Sequence, residues 1–165
     1  MSGHRTRPAT AADAEAIGRI YNQGIEDRVA TLETELRTPE ERRQWLAARG
    51  PRHPVIVAES AAGEVLGWGS LNAFNPRAAY RSVADFSIYV ERAWRGKGVG
   101  RVLLARLIGL GREHGYHKLV LSAFPGNEAG MALYTRLGFR TVGIYQEQGQ
   151  LDGKWVDTII MEKLL

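Results

Sequence analysis

The stretch of this sequence best suited to chemistry is Tyr89-Val90-Glu91-Arg92-Ala93-Trp94-Arg95-Gly96-Lys97-Gly98-Val99-Gly100. A run of strand-forming residues ends, three glycines alternate with longer residues, and an apolar helical pattern begins. Glycine lets the backbone approach a ligand closely and adopt positive φ. The unpaired N–H groups of a first helical turn, together with the helix dipole, attract a diphosphate. Arg95, Lys97 and Arg101 add side-chain charge, and Arg92 completes the basic cluster. There is no Gly-Lys-Ser/Thr ending of the Walker type, and the glycine spacing is not the dinucleotide fingerprint. Taken alone, the same glycines also suit a tight strand-to-helix turn without a ligand.

Other chemistries are excluded or left without support. The 165 residues contain no cysteine, which rules out disulfides, zinc thiolates and a cysteine nucleophile. His4, His53, His114 and His117 lack metal-ligand spacing, and His114 and His117, beside Gly115, suit a helix end or solvent. No metal is expected. The formal charge of +4 could suit an anionic partner. Most basic residues are interleaved with acids, however, as in Glu40-Glu41-Arg42-Arg43, which reads as a solvated helix face. No nucleic-acid partner is expected. Met1-Ser2-Gly3-His4-Arg5 does not read as a signal peptide, and no apolar run is long enough to span a membrane. The expected location is the cytoplasm, with no membrane partner.

The elements that must position the glycine turn follow from periodicity and caps. With 44% hydrophobic and 24% charged residues, the composition is that of a globular chain, and its length suits one domain, 1–165. Thr6 to Pro8 ends a short strand, and Thr10 with Asp13 caps a helix over Ala11 to Asn22. Gly24 to Arg37 has no clean period. Thr38-Pro39-Glu40-Glu41 starts a second helix that runs to about Arg49, before Gly50 and Pro51. Strands are predicted at Val55–Glu59, at Val65–Leu71 (loosened by Gly67 and Gly69) and at Val83–Val90, with a loop over Asn72–Arg81. Gly98–His114 is a helix whose stripe is Val102, Leu103, Leu107 and Leu110. Lys118–Ala123 is a strand and Ala129–Leu137 a helix stopped by Gly138. Thr141–Gln148 and Trp155–Lys163 are strands able to pair across Leu151-Asp152-Gly153-Lys154. This order gives an α/β domain with a mixed sheet.

Arg95-Gly96-Lys97-Gly98-Val99-Gly100 resembles the Gln/Arg-x-x-Gly-x-Gly/Ala motif of the GCN5-related N-acetyltransferases. Asn127-Glu128-Ala129-Gly130, Ala132-Leu133-Tyr134 and Leu137-Gly138-Phe139 resemble that family's second cofactor segment, in the expected order and spacing. The resemblance spans Thr6 to Lys163. It implies the acyl-CoA N-acyltransferase fold, a mixed and mostly antiparallel sheet flanked by helices, with acetyl-CoA as co-substrate. Thr38-Pro39-Glu40-Glu41, Asn75-Pro76-Arg77-Ala78-Ala79-Tyr80 and Gly153-Lys154-Trp155-Val156-Asp157 look like the branch that acetylates phosphinothricin, methionine sulfoximine and an arsenical glutamate analogue, usually as a homodimer.

Roles for named residues follow from this resemblance. The strand end at Ile88, Tyr89 and Val90 would pair with the pantetheine arm, and the Val90 N–H would face the oxyanion. Arg95, Gly96, Lys97, Gly98, Val99, Gly100 and Arg101 would hold the pyrophosphate. Asn127 would touch the cofactor, and Tyr134 would serve the leaving thiolate or else simply pack in the core. Asp85 stands where the branch carries a glutamate, the proposed base. An ordinary aspartate, with a pKa of about 3.9, is a poor base for an ammonium. The role needs burial, a water relay or a neutral amine; otherwise Asp85 anchors the ammonium or forms a structural pair.

Arg77 would meet the acidic end of the substrate, or be a solvated loop arginine. Tyr80 would orient the same ligand or close the loop. Leu32 and Phe74 replace a phenylalanine and a tryptophan of the branch, while Asn75 and Glu33 replace basic residues. These differences leave the particular glutamate analogue open. Trp155 and Asp157 line a pocket completed by a second subunit, or are edge-strand residues. The expected activity is transfer of acetyl to the α-amine of a small glutamate-like substrate. The alternatives are acetylation of a protein N-terminus or lysine, and a non-catalytic acyl-CoA-binding module.

Overall fold

A computed structural model describes residues 3–165. Met1 and Ser2, the opening of the segment read above as no signal peptide, lie outside the described residues. The elements in chain order are β1 (Arg5–Pro8), α1 (Ala14–Glu26), α2 (Pro39–Ala47), β2 (Val55–Glu59), β3 (Val65–Ala73), β4 (Val83–Val90), α3 (Val99–Glu113), β5 (Lys118–Ala123), α4 (Glu128–Arg136), β6 (Arg140–Leu151) and β7 (Lys154–Leu164). Single 3-10 turns cover Ala11–Asp13, Ala78–Tyr80 and Arg92–Trp94.

The seven strands form one sheet in the order β1-β2-β3-β4-β5-β7-β6. Every neighbouring pair is antiparallel except β4 and β5, which are parallel. Helices cover both faces, which is why all five residues of β2 are buried. On one face, Leu103, Leu104 and Leu107 of α3 pack against Leu66, Ala84, Phe86 and Leu119. On the other, Ile17 and Ile20 of α1 pack against Val55, Val57 and Trp68, with Trp45 of α2 alongside.

The helix starts obey their caps. Thr38 Oγ1 accepts from the Glu41 N–H at 3.1 Å ahead of Pro39. Asp13 accepts from the Thr10 N–H at 2.7 Å. Arg7 forks onto both Asp13 oxygens and donates to Glu59, tying the start of α1 to β1 and β2. These bonds push the Asp13 carboxyl below the usual range, chiefly through the Arg7 hydrogen bond.

Three expectations change. First, α1 runs four residues beyond Asn22, because Gly24 and Ile25 are buried on its inner face. Second, Arg42 does not belong to a solvated face. It lies over the rings of Tyr21 (5.0 Å) and Trp45 (4.6 Å), and its guanidinium is partly desolvated. Third, Gly67 does not loosen β3. A Cβ there would stand 2.9 Å from both the Tyr89 carbonyl oxygen and Val99 Cγ1, so the missing side chain is the seat of α3. Because Val99 is the first residue of α3, this contact also sets the depth of the glycine turn.

Gly67→Ala is therefore expected to destabilise the fold by about 1–3 kcal/mol through overpacking. Gly109→Ala, inside α3 with only the end of the Arg106 side chain nearby at 3.5 Å, should stabilise it by about 0.5–1 kcal/mol through helix propensity. Denaturant unfolding of both variants checks the opposite signs.

Candidate active site

The site begins where β4 leaves β5. β4 pairs with β3 from Ala84 to Val90. Its pairing with β5 covers only Val83–Asp85 against Lys118–Val120. Beyond Val120, β5 continues with β7 to Ala123. The Glu91 N–H donates to the Leu66 carbonyl at 2.8 Å. In an antiparallel ladder alternate residues bond to the same neighbour, so Asp85, Ser87 and Tyr89 bond back to β3. The backbone groups of Ile88 and Val90 face the opening between β4 and β5. That strip of main chain is suited to bind an extended ligand as an added strand would.

The glycine turn closes one end of the opening. Gly96 and Gly98 have φ of +75° and +86°, and Gly98 is the left-handed N-cap of α3. Side chains there would be strained, and the conformation leaves the first N–H groups of α3 without a side-chain cap. The basic cluster divides in two. Asp27, at the end of α1, binds Arg92 (2.8 Å) and Arg95 (2.7 Å), and these bonds hold its carboxyl down to about 2. Arg95 thus braces the turn against α1 rather than projecting from it. Lys97 lies 5.1 Å over the Trp94 ring, and its carbonyl oxygen meets the His4 ring at 3.1 Å. Arg101, on the first turn of α3, is exposed. Lys97 and Arg101 are the cations of the cluster with no carboxylate partner among the described residues.

Asp85 and Tyr134 come to β4 from different directions. Asp85 lies on the α1/α2 side of the strand, half-buried, and burial pushes its carboxyl up against the opposing effect of a hydrogen bond from Asn72. Tyr134 of α4 packs edge-on to Phe86 and Phe139 at 6.2 Å, on the α3 side, and burial raises its phenol. The Tyr89 side chain turns away from the opening into an aromatic cluster, stacked on Trp68 at 5.1 Å and edge-on to Tyr21 at 5.0 Å. Burial raises its phenol too, and both Asp85 and Tyr134 are close enough to add to that shift. Asn127 caps α4, its Oδ1 accepting from the Gly130 N–H at 3.0 Å.

The expected substrate residues fall in two groups. Phe74 and Tyr80 pair at 5.5 Å on the exposed β3–β4 loop, with Arg77 exposed between them. Asn75 is a loop staple, accepting from the Arg77 N–H at 3.0 Å. Leu32 lies against Gly149 on β6, next to Gln150, the register partner of Trp155. Trp155 lines an open cleft of about 560 Å³ with Arg28, Phe124 and Leu151. Asp157 accepts from the Glu147 N–H at 2.7 Å and holds a bulge in β6. Glu33 is tied to Arg37 and to the N–H groups of Thr34 and Glu35.

Sequence reading missed Asn72, Arg49, Ser70 and Ser87. Ending β3 at Leu71 put Asn72 in a loop. The register that pairs Asn72 with Asp85 and Ser70 with Ser87 would have found a polar stripe on adjacent strands. No group of three or more His, Asp or Glu among the described residues is arranged to hold a metal.

The sequence model of the acetyltransferase (GNAT) family matches residues 19–139. The chain belongs to this family. It is 36% identical, over 94% of its length and 91% of the relative's, to an L-methionine sulfoximine/L-methionine sulfone acetyltransferase of Pseudomonas aeruginosa. The GNAT fold is shared with a phosphinothricin acetyltransferase from Sinorhizobium meliloti solved in complex with acetyl-CoA (TM-score 0.94, 31% identity, 99% of this chain and 89% of that one). It is also shared with a ribosomal-protein-alanine N-acetyltransferase from Brucella melitensis (TM-score 0.93, 39% identity, 98% and 99%). The parted strands and the glycine turn of this GNAT chain suit an acyl-CoA. They combine a main-chain strip, free helix N–H groups and two unpaired cations.

The raised Asp85 carboxyl has a stability consequence. Its folded pKa lies above its unfolded one, so the cost of the buried charge is present above the folded pKa and absent below the unfolded value of about 3.9. Asp85→Asn should therefore melt at a higher temperature than the parent at pH 8, and the gain should vanish near pH 4. An equal gain at both values would show that the buried charge is not its source.

Proposed function

We propose that this enzyme transfers the acetyl group of acetyl-CoA to the α-amine of a small glutamate-like amino acid of the phosphinothricin, methionine sulfoximine or arsinothricin type. The observation that carries the reading is Asp85: a half-buried carboxylate with a raised pKa and no cationic partner among the described residues, three residues before the point where β4 bares its backbone.

The amine nitrogen forms the new C–N bond, the thioester C–S bond breaks, and coenzyme A leaves as the thiol. Asp85 takes the ammonium proton, directly or through one water, and its raised pKa lessens the mismatch with the amine. The Val90 N–H donates to the carbonyl oxygen as charge develops on it. Tyr134 supplies the proton that the departing sulfur needs. Its buried phenol stays protonated until then, and the second proton that the nitrogen sheds as the amide forms restores it. Ile88 and the Tyr89 backbone flank the extended arm of the co-substrate. Gly96, Gly98, Val99, Gly100, Lys97 and Arg101 receive its pyrophosphate, Arg95 braces that turn, and the Asn127 Nδ2, whose partner oxygen caps α4, completes the cradle. Arg77, between Phe74 and Tyr80, takes the acidic end of the substrate, while Leu32 and Trp155 shape the far wall.

A homodimer fits the same reading. The edge strand β6 exposes Val142, Ile144 and Tyr145, each more than half accessible, and Trp155, on β7 opposite Gln150 of β6, is 61% exposed. A second copy would cover this surface and complete the cleft at Trp155. We assign the reaction to the cytoplasm, which supplies acetyl-CoA. The Brucella relative's name favours a second reading, transfer to a protein N-terminus, which needs an open peptide groove in place of the anion site at Arg77.

Free thiol released from acetyl-CoA, measured with a panel of glutamate analogues, ordinary amino acids and short peptides, tests this function. Saturable release with a glutamate analogue is expected. Arg77→Ala should raise the KM for that amine about tenfold or more, and Tyr134→Phe should lower kcat about tenfold or more. Release with peptides alone would move the assignment to protein acetylation. In light scattering the parent should run as a dimer, and Ile144→Glu should shift it toward a monomer with reduced turnover.

A further inference from the structure

Asp85 has no ion pair among the described residues, yet its orientation is set by a chain of side chains that begins outside the sheet. Arg49 stands just past the end of α2, its guanidinium 4.6 Å over the Trp45 ring. Its Nε donates to the His53 carbonyl at 2.9 Å, and one Nη2 reaches both the Leu71 carbonyl and Asn72 Oδ1, the latter at 2.9 Å. Ser70 Oγ donates to the same Oδ1 at 3.0 Å. On its other side, the Asn72 amide nitrogen donates to Asp85 Oδ1 and to Ser87 Oγ, each at 3.2 Å.

The direction of this chain is fixed by chemistry. A guanidinium only donates, so the atom of Asn72 that faces it must be the oxygen. Turning the amide over would set its NH2 against Arg49 and its oxygen against the Asp85 carboxylate, losing bonds at both ends. As placed, the amide spends both N–H donors and both oxygen lone pairs. Arg49 thus reaches Asp85 only through Asn72. One carboxylate oxygen, Oδ1, is pinned, and Oδ2 is left to accept a proton.

We propose that Asn72, held by Arg49 and Ser70, is a positioning residue for Asp85, presenting Oδ2 to the amine and stabilising the ionised carboxylate. The proposal rests on the reading of Asp85 as base. The titratable and charged groups on the inner sides of the surrounding elements include Tyr21 of α1, Arg42 of α2, Arg49 and His53 after it, Tyr89 of β4, Tyr134 of α4 and Lys118 of β5. Lys118 is already bound to Glu162 at 2.9 Å. None of them hydrogen-bonds Asp85, so loss of the Asn72 donor should register on that carboxyl directly.

The test compares Asn72→Leu and Arg49→Lys with Asp85→Asn and the parent. It uses the pH dependence of kcat/KM with the best amine and the 13C NMR titration of the Asp85 carboxyl. Arg49→Lys keeps the charge but removes the fork, and serves if Asn72→Leu does not fold. In Asn72→Leu the carboxyl midpoint and the acid limb of the profile should both move upward by about half a pH unit or more. The kcat should fall about ten- to hundredfold at unchanged KM for acetyl-CoA. Arg49→Lys should shift both in the same direction by less. Unmoved midpoint and limb in both variants would overturn the proposal. A fully active Asp85→Asn would overturn the base reading and the proposal with it. An inactive Asp85→Asn beside an unmoved Asn72→Leu would remove the positioning role alone.

Discussion

The parting of β4 from β5 is the constraint on which the rest of this structure depends. Two neighbouring parallel strands pair for three residues and then follow different partners, β4 with β3 and β5 with β7. Unpaired backbone groups are costly unless something binds them. The strip at Ile88 and Val90 is therefore both a local defect in the sheet and a place for an extended ligand. The surrounding packing holds the defect open: α3 is seated on Gly67 directly behind Tyr89, and the aromatic trio Phe86, Tyr134 and Phe139 fills the space beside the gap.

The strand's alternation then sorts the chemistry. Residues facing α3 are apolar, and Tyr134 joins them from α4. Residues facing α1 and α2 are Asp85, Ser87 and Tyr89, matched in register by Asn72, Ser70 and Trp68. A single eight-residue strand thus carries a carboxylate on one side, a neighbour of the Tyr134 phenol on the other, and a bare main chain along its edge. Trp45 lies between the guanidinium groups of Arg42 and Arg49. Burial is the first reason both guanidinium groups hold their protons less tightly, with Arg42 adding to the effect on Arg49, and Arg49 is spent on fixing the Asn72 amide.

The basic cluster shows how tertiary contacts reassign charge. Four cations surround the glycines, but Asp27 takes two of them into a brace between α1 and the turn. What remains for an anion is Lys97, Arg101 and the free N–H groups of α3. The brace is itself useful: a turn built from glycines is pliant, and an ion pair to a neighbouring helix limits that freedom.

The sequence by itself determined most of the elements, because apolar period, caps and glycine stops are local signals. Pro39 behind Thr38, the α3 stripe and the turn at Asp152–Gly153 all lie where their residue types require. The glycine turn was legible from its residues, and the family resemblance singled out Asp85 and Tyr134 as candidates. Only the tertiary structure decided which side each residue serves. Arg95 and Arg92 pair with a residue some 65 positions away, Arg42 is drawn under aromatic rings, Tyr89 turns away from the gap, and Asn72 meets Asp85 through strand register. These are long-range pairings, set by how strands align and helices seat, and no local pattern in the chain encodes them.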